Sequence, residues 1–162
     1  MYYVGFDLSI SSTGVAVIDE QGYLIETIAI KTKPDDYRGP QGFANRLVFI
    51  TDMLMSVLRE YRPAKLAIEQ TLTGTAGYGV QDRAKLIGVL QYRIATEIPE
   101  HNDPLYVYPS SLKKIVTGSG KADKADIKKA IDGVFGYDLG LETSDQYDAL
   151  GLALVAGAWF DG

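Results

Sequence analysis

The stretch Met1-Tyr-Tyr-Val-Gly-Phe-Asp7-Leu-Ser-Ile-Ser-Ser-Thr-Gly14 decides the fold, because it leads an apolar run into a turn of small residues. The residues from Tyr2 to Phe6 predict a short buried strand, and Gly14 to Ile18 predict a second strand that returns beside it. Aspartate is unfavourable inside a strand, so Asp7 marks the end of the first one. Its carboxylate then either faces an open ligand site or accepts hydrogen bonds from the following turn, and this stretch alone favours neither interpretation.

The length and composition predict a single domain, 1–162, with a sizeable core. The chain has 162 residues, of which 46% are hydrophobic. No apolar run approaches the ~20 residues that span a bilayer, and the N-terminus lacks the pattern of a signal peptide, so we expect a cytoplasmic protein with no membrane partner. The sequence contains no cysteine, and His101 is its only histidine. Thiolate and histidine-rich metal sites are therefore excluded, and any hydrolytic chemistry must rest on carboxylates.

The first half of the chain predicts three strands, a helix and a fourth strand. A turn at 20–22 precedes a third strand over 23–32, which completes an antiparallel N-terminal meander. After a polar loop at 33–42, apolar residues recur at helical spacing from Phe43 to Tyr61 and predict a long helix that ends before Pro63. The apolar strand at 64–68 then ends, like the first strand, in an acidic residue, Glu69.

The second half predicts helices separated by one short strand. A glycine- and threonine-rich loop at 70–79 is followed by a helix over 80–98 and a strand over 105–108. Two short helices flank Gly118-Ser-Gly120, with Asp123 as the N-cap of the second, and a final helix runs from 144 to 159. This order predicts an α/β fold: a mixed five-stranded sheet with an antiparallel N-terminal meander, flanked by helices. Asp7 and Glu69 would lie at the ends of neighbouring central strands.

The final helix supplies a second pair of carboxylates, Asp145 and Asp148, which lie on nearly the same helical face. Both could simply favour the helix dipole, and Thr143 with Gln146 could form a capping box. However, four carboxylates from three distant segments are costly to bring together unless a cation neutralises them. Oxygen ligands favour Mg²⁺ or Mn²⁺, and two such ions ~4 Å apart hydrolyse phosphodiesters. We expect Asp148, one turn deeper, to be the better-held ligand and Asp145 to bind more loosely.

A lysine-rich segment at 113–129 contrasts with the net charge of −5. It contains six lysines and two aspartates, a local balance of +4. Such asymmetry predicts one face that meets phosphates, although a solvated helix face has the same pattern. The candidate DNA-binding lysines are Lys113, Lys114, Lys121 and Lys124.

Three of these motifs together resemble the RuvC family of Holliday junction resolvases. They are Gly5-Phe-Asp7-Leu-Ser, Ala67-Ile-Glu69-Gln and Ser144-Asp-Gln-Tyr-Asp-Ala-Leu150, and the segment from Leu112 to Lys124 resembles the family's basic segment. The resemblance implies an RNase H-like fold and a homodimeric, metal-dependent endonuclease that resolves four-way junctions and related branched DNA by paired nicks. It also implies that Asp7, Glu69, Asp145 and Asp148 bind the metal. We expect two Mg²⁺ ions per site, with Mn²⁺ able to substitute.

The resemblance extends to junction recognition, with one departure. It implies that Lys113 and Lys124 contact the junction. Bacterial members carry an aromatic residue three positions after the catalytic glutamate to probe the junction centre, and this chain has Leu72 there. A stringent cleavage-sequence preference is therefore not expected. Tyr78 is a candidate for the stacking surface, although an exposed loop tyrosine would look the same. The short, acidic form is compatible with a phage-encoded member.

Three other classes of protein share part of this pattern. Another RNase H-like nuclease, acting on RNA or an RNA–DNA hybrid, shares the carboxylates, but the lysine segment and the paired aspartates favour a resolvase. An actin-like or sugar-kinase ATPase also opens with a glycine–aspartate strand, but needs two domains that close over nucleotide. A non-catalytic junction-binding module would have lost a carboxylate, and none is missing. The sequence identifies no helicase partner.

Overall fold

A mixed five-stranded sheet forms the centre of the molecule in a computed structural model that describes residues 1–62, 64–70, 77–101 and 103–161. The strands are β1 (Tyr2–Asp7), β2 (Ser12–Asp19), β3 (Leu24–Lys31), β4 (Ala64–Glu69) and β5 (Leu105–Val107). Their order is β3-β2-β1-β4-β5. Strands β1, β2 and β3 are antiparallel neighbours, whereas β4 pairs in parallel with β1, and β5 in parallel with β4. The predicted antiparallel meander and mixed sheet are confirmed.

Helices cover both faces of this sheet. They are α1 (Gly42–Glu60), α2 (Tyr78–Glu97), α3 (Pro109–Thr117), α4 (Lys124–Phe135) and α5 (Ser144–Asp161). Alternation along the strands divides the core in two: Val4 and Phe6 pack with α1 and α2, whereas Tyr3 and Ala16 pack with α3, α4 and α5. Among the described residues, no helix has the length and apolar character needed to cross a membrane.

The observed boundaries differ from the predicted ones at a few prolines and at the start of α2. A 3₁₀ turn, Pro34–Asp36, forms inside the predicted polar loop. The fifth strand ends at Val107, before Pro109 as predicted, and Pro109 is the first residue of α3, because a first helical turn tolerates a missing N–H. Helix α2 starts at Tyr78 rather than at residue 80, and positions 71–76 of the predicted loop lie outside the described residues.

The helix ends near the lysine-rich segment follow the predicted capping chemistry. Asp123 caps α4, accepting from the Asp126 N–H at 2.8 Å, while the Asp123 N–H donates to the Asp126 carboxylate at 3.0 Å. Gly118 and Gly136 end α3 and α4 in the left-handed conformation, at φ 83° and 80°. The basic segment is therefore two short helices held by defined caps.

Two glycines let α5 lie directly on the sheet. A Cβ atom at Gly5 would stand 1.9 Å from the Ala149 carbonyl oxygen, and one at Gly14 would stand 2.0 Å from the Asp145 carbonyl oxygen. Gly14 is also the β2 partner of Asp7 in the antiparallel register. The close contact therefore places the first turn of α5, which carries the paired aspartates, beside the end of β1.

Substituting Gly5 tests this contact. We expect Gly5→Ala to lower the free energy of unfolding by about 3 kcal/mol or more, because the added methyl meets backbone atoms that cannot move independently of α5. The control is Gly133→Ala within α4, where an added Cβ meets nothing within 4 Å and higher helix propensity should raise stability by up to ~1 kcal/mol. Urea denaturation measures both, and a Gly5→Ala protein as stable as the control would disprove the contact.

Candidate active site

Asp7 lies at the centre of the candidate site, as the last residue of β1. Asp7 is buried, with only 5% of its surface exposed to solvent. Burial raises the pKa of Asp7 well above its ordinary range, and the negative charges of Glu69, Asp148 and Asp145 raise it further. The fold has therefore brought the four predicted carboxylates close enough to repel one another.

Glu69 reaches the site from the neighbouring parallel strand. The register pairs Phe6 with Ile68, so the last residues of the two strands, Asp7 and Glu69, lie side by side at the same end of the sheet. Burial raises the pKa of Glu69, and an ion pair with Arg83 opposes that rise. Arg83 Nη1 donates to Glu69 Oε1 at 2.7 Å.

The two aspartates of α5 have different surroundings. Asp145 accepts a hydrogen bond of 2.6 Å from the hydroxyl of Ser12, on β2. Burial, followed by the charge of Glu69, raises the pKa of Asp148 to about 6, while Lys124 opposes the rise. Asp145 is thus held by a neutral donor, whereas Asp148 is repelled by the negative charges of Glu69 and Asp145.

The predicted capping box at the start of α5 forms between Thr143 and Gln146. The Gln146 N–H donates to Thr143 Oγ1 at 3.3 Å, and the Thr143 N–H donates to Gln146 Oε1 at 3.0 Å. Helix α5 therefore has its cap from Thr143 and Gln146. Neither Asp145 nor Asp148 takes part in this box, and Asp145 also lies in the first turn, where an acidic side chain favours the helix dipole.

Two of the four predicted DNA-binding lysines lie next to the carboxylates. Lys113, on α3, lowers the pKa values of both Glu69 and Asp148 against the opposing effect of burial. Lys124, at the start of α4, donates to the Ser144 hydroxyl at 2.9 Å. The structure therefore joins the basic segment to the carboxylate cluster.

No contact joins Lys114 or Lys121, the other two predicted DNA-binding lysines, to the described carboxylates of this cluster. Lys114 and Lys121 are exposed on the same segment as Lys113 and Lys124. Leu72 lies outside the described residues, as does the side chain of Tyr78, whose backbone begins α2.

Two side chains at the site were not predicted, Ser12 and Arg83. Ser12 was recognised only as part of a small-residue turn. Arg83 carries a sequence signal that could have been used: it lies one turn before Leu86, on the stripe that continues through Leu90 and buries apolar residues against the core. An arginine at such a position is directed towards the protein rather than towards water.

The donor set fits a hard divalent cation, although the carboxylates have protein partners in this structure. In the part of the chain that is described, no three His, Cys, Asp or Glu side chains are arranged to hold a metal ion together. Glu69 is paired with Arg83, and Asp145 with Ser12. A cation would relieve the repulsion that raises the pKa of Asp7, and Mg²⁺ prefers carboxylate oxygens. Each contact uses one carboxylate oxygen, Oε1 of Glu69 and Oδ2 of Asp145, so a metal ion that binds through either of these atoms has to share it with the protein partner or displace that partner.

The architecture defines the class of protein. An antiparallel β1–β2–β3 meander extended by parallel β4 and β5, with helices on both faces, is the RNase H-like fold. The structure of T. thermophilus RuvC in complex with Holliday junction substrate superposes with a TM-score of 0.79, covering 100% of this chain and 96% of that one at 21% identity.

Sequence comparison identifies the family within that class. The family model described as "Crossover junction endodeoxyribonuclease RuvC" matches residues 3–156. The protein of that name from Rickettsia prowazekii is 32% identical over 158 residues, covering 94% of this chain and 94% of its own length. Its counterpart from Rickettsia felis is 31% identical over 157 residues, covering 94% and 95%. The chain therefore belongs to the RuvC family of crossover junction endodeoxyribonucleases, which confirms the resemblance found in its motifs.

The raised pKa of Asp148 makes stability depend on pH. The folded protein holds this proton more tightly than the unfolded chain, since the pKa rises from 3.8 to about 6. The resulting stability is present below about pH 4 and is lost as the pH rises through about 6. In metal-free buffer we expect Asp148→Asn to remove this part of the decline and to be more stable than wild type by about 1 to 2 kcal/mol at pH 7.

Urea denaturation in chelator between pH 4 and pH 8 measures this effect. Asp36→Asn is the matched control, because Asp36 is an exposed residue of the Pro34–Asp36 turn. Parallel pH profiles for wild type and Asp148→Asn would contradict the repulsion argument.

Proposed function

We propose that this chain is a metal-dependent endonuclease that resolves four-way junctions and related branched DNA by paired nicks, through a single nuclease domain over 1–162. The observation that carries the proposal is the convergence of Asp7, Glu69 and the α5 aspartates beside Lys113 and Lys124, in a member of the RuvC family. Carboxylates that hold cations and lysines that bind phosphates are the two parts a DNA hydrolase needs.

Asp7, Glu69, Asp145 and Asp148 are the proposed metal ligands. Two Mg²⁺ ions, or Mn²⁺ in their place, would supply an activated water on one side of the phosphodiester and charge stabilisation for the leaving oxygen on the other. Within the protein, the burial of Asp7 keeps its carboxylate in one position. The Ser12 hydroxyl orients Asp145, and both residues belong to elements that pack through Gly14.

The basic segment is the proposed DNA interface. Lys113 lies close enough to Glu69 and Asp148 to lower their pKa values, and Lys124 lowers the pKa of Asp148. A phosphate bound by these lysines would therefore lie next to the site. Exposed Lys114 and Lys121 extend the positive surface. Contacts from Leu72 and Tyr78 to the junction centre remain a prediction.

A homodimer is the proposed active form, because a four-way junction needs two symmetry-related nicks and one chain supplies one site. Helix α2 is the proposed interface. Tyr92 is 69% exposed on α2, and neighbouring α1 exposes Val48 and Phe49 at 52% and 41%. Exposed Gly88, where an added Cβ would meet nothing within 4 Å, leaves room for a partner helix. Arg93, on α2, donates hydrogen bonds to Asp52 and to the Thr51 hydroxyl on α1, which ties the two helices together.

The activity is tested with labelled four-way junction, duplex DNA and an RNA–DNA hybrid, with and without Mg²⁺. We expect Mg²⁺-dependent cutting of the junction, and a loss of at least about a hundredfold in Asp7→Asn and Glu69→Gln, because an amide is a much weaker ligand for a hard cation. Junction binding should persist in both variants, and Asp36→Asn should cut like wild type. Preferential cutting of the hybrid would favour the rival RNA-directed nuclease.

The proposed dimer is tested on a closed-circular cruciform plasmid. A dimer makes both nicks in one binding event and gives linear product directly, whereas independent cuts accumulate nicked circles.

The same assay ranks the two aspartates of α5. Asp148→Asn should lose nearly all cleavage, because Asp148 lies one turn further into α5 than Asp145, away from the free N–H groups of the first turn. Asp145→Asn should retain a small part of the wild-type activity in Mg²⁺, and Mn²⁺ should restore part of the loss. A dead Asp145→Asn protein beside an active Asp148→Asn protein would reverse this ranking.

The DNA interface is tested by the salt dependence of junction binding. We expect Lys113→Ala and Lys124→Ala each to weaken binding and to reduce the log–log salt slope by about one unit per lost phosphate contact. Lys129→Ala, further along α4 and also exposed, is the matched control. An unchanged slope in the Lys113/Lys124 double variant would identify these lysines as a solvated helix face.

A further inference from the structure

Arg83 is a cation built into the candidate active site. Its Nη1 atom donates to Glu69 Oε1 at 2.7 Å, and the two side chains are 29% and 13% exposed. Among the ion pairs of the described residues, this is the one that engages a proposed metal ligand. A charge-assisted hydrogen bond shielded from water is stronger than a typical surface pair, so the contact restricts Glu69.

The position of Arg83 on α2 directs its charge to this end of the sheet. Leu86 and Leu90, three and seven residues later, are fully buried, so Arg83 continues an inward-facing stripe by one turn. Its charge also reaches Asp7, where it opposes the effects of burial and of the other carboxylates. The guanidinium therefore partly neutralises the site in the absence of a metal ion.

We propose that Arg83 is a positioning residue that occupies Glu69 in the metal-free enzyme and releases it when a divalent cation binds. This inference rests on the proposed function. A cation that takes Glu69 Oε1 as its ligand has to displace the Arg83 guanidinium from that oxygen, so the two compete for it. The ion pair stabilises four crowded carboxylates in the free protein, and the consequence is weaker metal binding.

DNA should shift this competition in favour of the metal. The Arg83 guanidinium and Lys113 of α3 both lie close enough to Glu69 to lower its pKa, and the planar donors of the guanidinium suit the oxygens of a phosphate. A phosphate that binds Arg83 frees Glu69 for the cation, so substrate binding and metal binding would strengthen each other. Arg83 would thus limit metal loading until a DNA backbone reaches the site.

The test measures Mn²⁺ binding to the full chain without DNA, by the electron paramagnetic resonance signal of free Mn²⁺. We expect Arg83→Met to bind Mn²⁺ about tenfold more tightly than wild type, because the competitor is gone while an apolar side chain of similar length remains on the stripe. Arg83→Lys, which keeps the charge, should bind close to the wild-type level. Arg62→Met is the matched control: it removes the same charge from an exposed pair with Glu100 and should change affinity by less than about twofold.

A double-mutant cycle with Glu69→Gln separates the ion pair from a general effect of charge. In the Glu69→Gln background, Arg83→Met should no longer tighten Mn²⁺ binding, because the carboxylate for which Arg83 and the metal ion compete is absent. Equal tightening in both backgrounds, or none in either, would overturn the proposal. Wild-type protein offers an independent readout, since the ¹⁵N-labelled Arg83 guanidinium signal should shift on Mg²⁺ titration.

The outcomes distinguish this inference from the proposed function. If wild type binds Mn²⁺ and cuts junctions while Arg83→Met has unchanged affinity, the role of Arg83 is wrong and the nuclease assignment stands. If wild type neither binds Mn²⁺ nor cuts junctions with Mg²⁺, the nuclease proposal itself fails. Circular dichroism melting of each variant confirms that the affinities refer to folded protein.

Discussion

The structure depends on the close contact between α5 and the glycine-bearing strands β1 and β2. Side chains at Gly5 or Gly14 would overlap backbone atoms of α5, so the helix could not occupy its present position. Because Gly14 pairs with Asp7 and touches the carbonyl of Asp145, the same contact brings carboxylates from opposite ends of the chain together. Packing in the core and the geometry of the site are thus set by one feature.

The electrostatics of the site follow from that packing. Burial and mutual repulsion raise the pKa values of Asp7 and Asp148, which means that the fold spends stability to keep these groups close. Arg83, Lys113 and Ser12 offset part of this cost through an ion pair, a nearby charge and a hydrogen bond. Carboxylates at metal-binding sites commonly repel one another in this way, because they are arranged around a positive charge that the protein itself does not supply.

Membership of the RuvC family and the arrangement of charges support each other without being the same observation. The family follows from similarity along residues 3–156. The charge arrangement follows from the ends of β1 and β4, the starts of α4 and α5 and the position of Lys113 within α3. It places two lysines of a net acidic chain beside its buried carboxylates. The departure at Leu72 concerns the proposed recognition of the junction centre, whereas all four acidic residues of the proposed hydrolytic site are present.

The sequence by itself determined the elements and their order, because strand alternation, helix periodicity and caps are local patterns. The ends of β1 and β4, the Asp123 cap and the Thr143–Gln146 box were all readable in this way. Only the tertiary structure decided the partners of the carboxylates. Arg83 is 14 residues from Glu69, and Ser12 is 133 residues from Asp145, so each pair arises from strand register and helix packing. No local pattern encodes contacts between such distant side chains, because they depend on how the whole sheet and its helices are assembled.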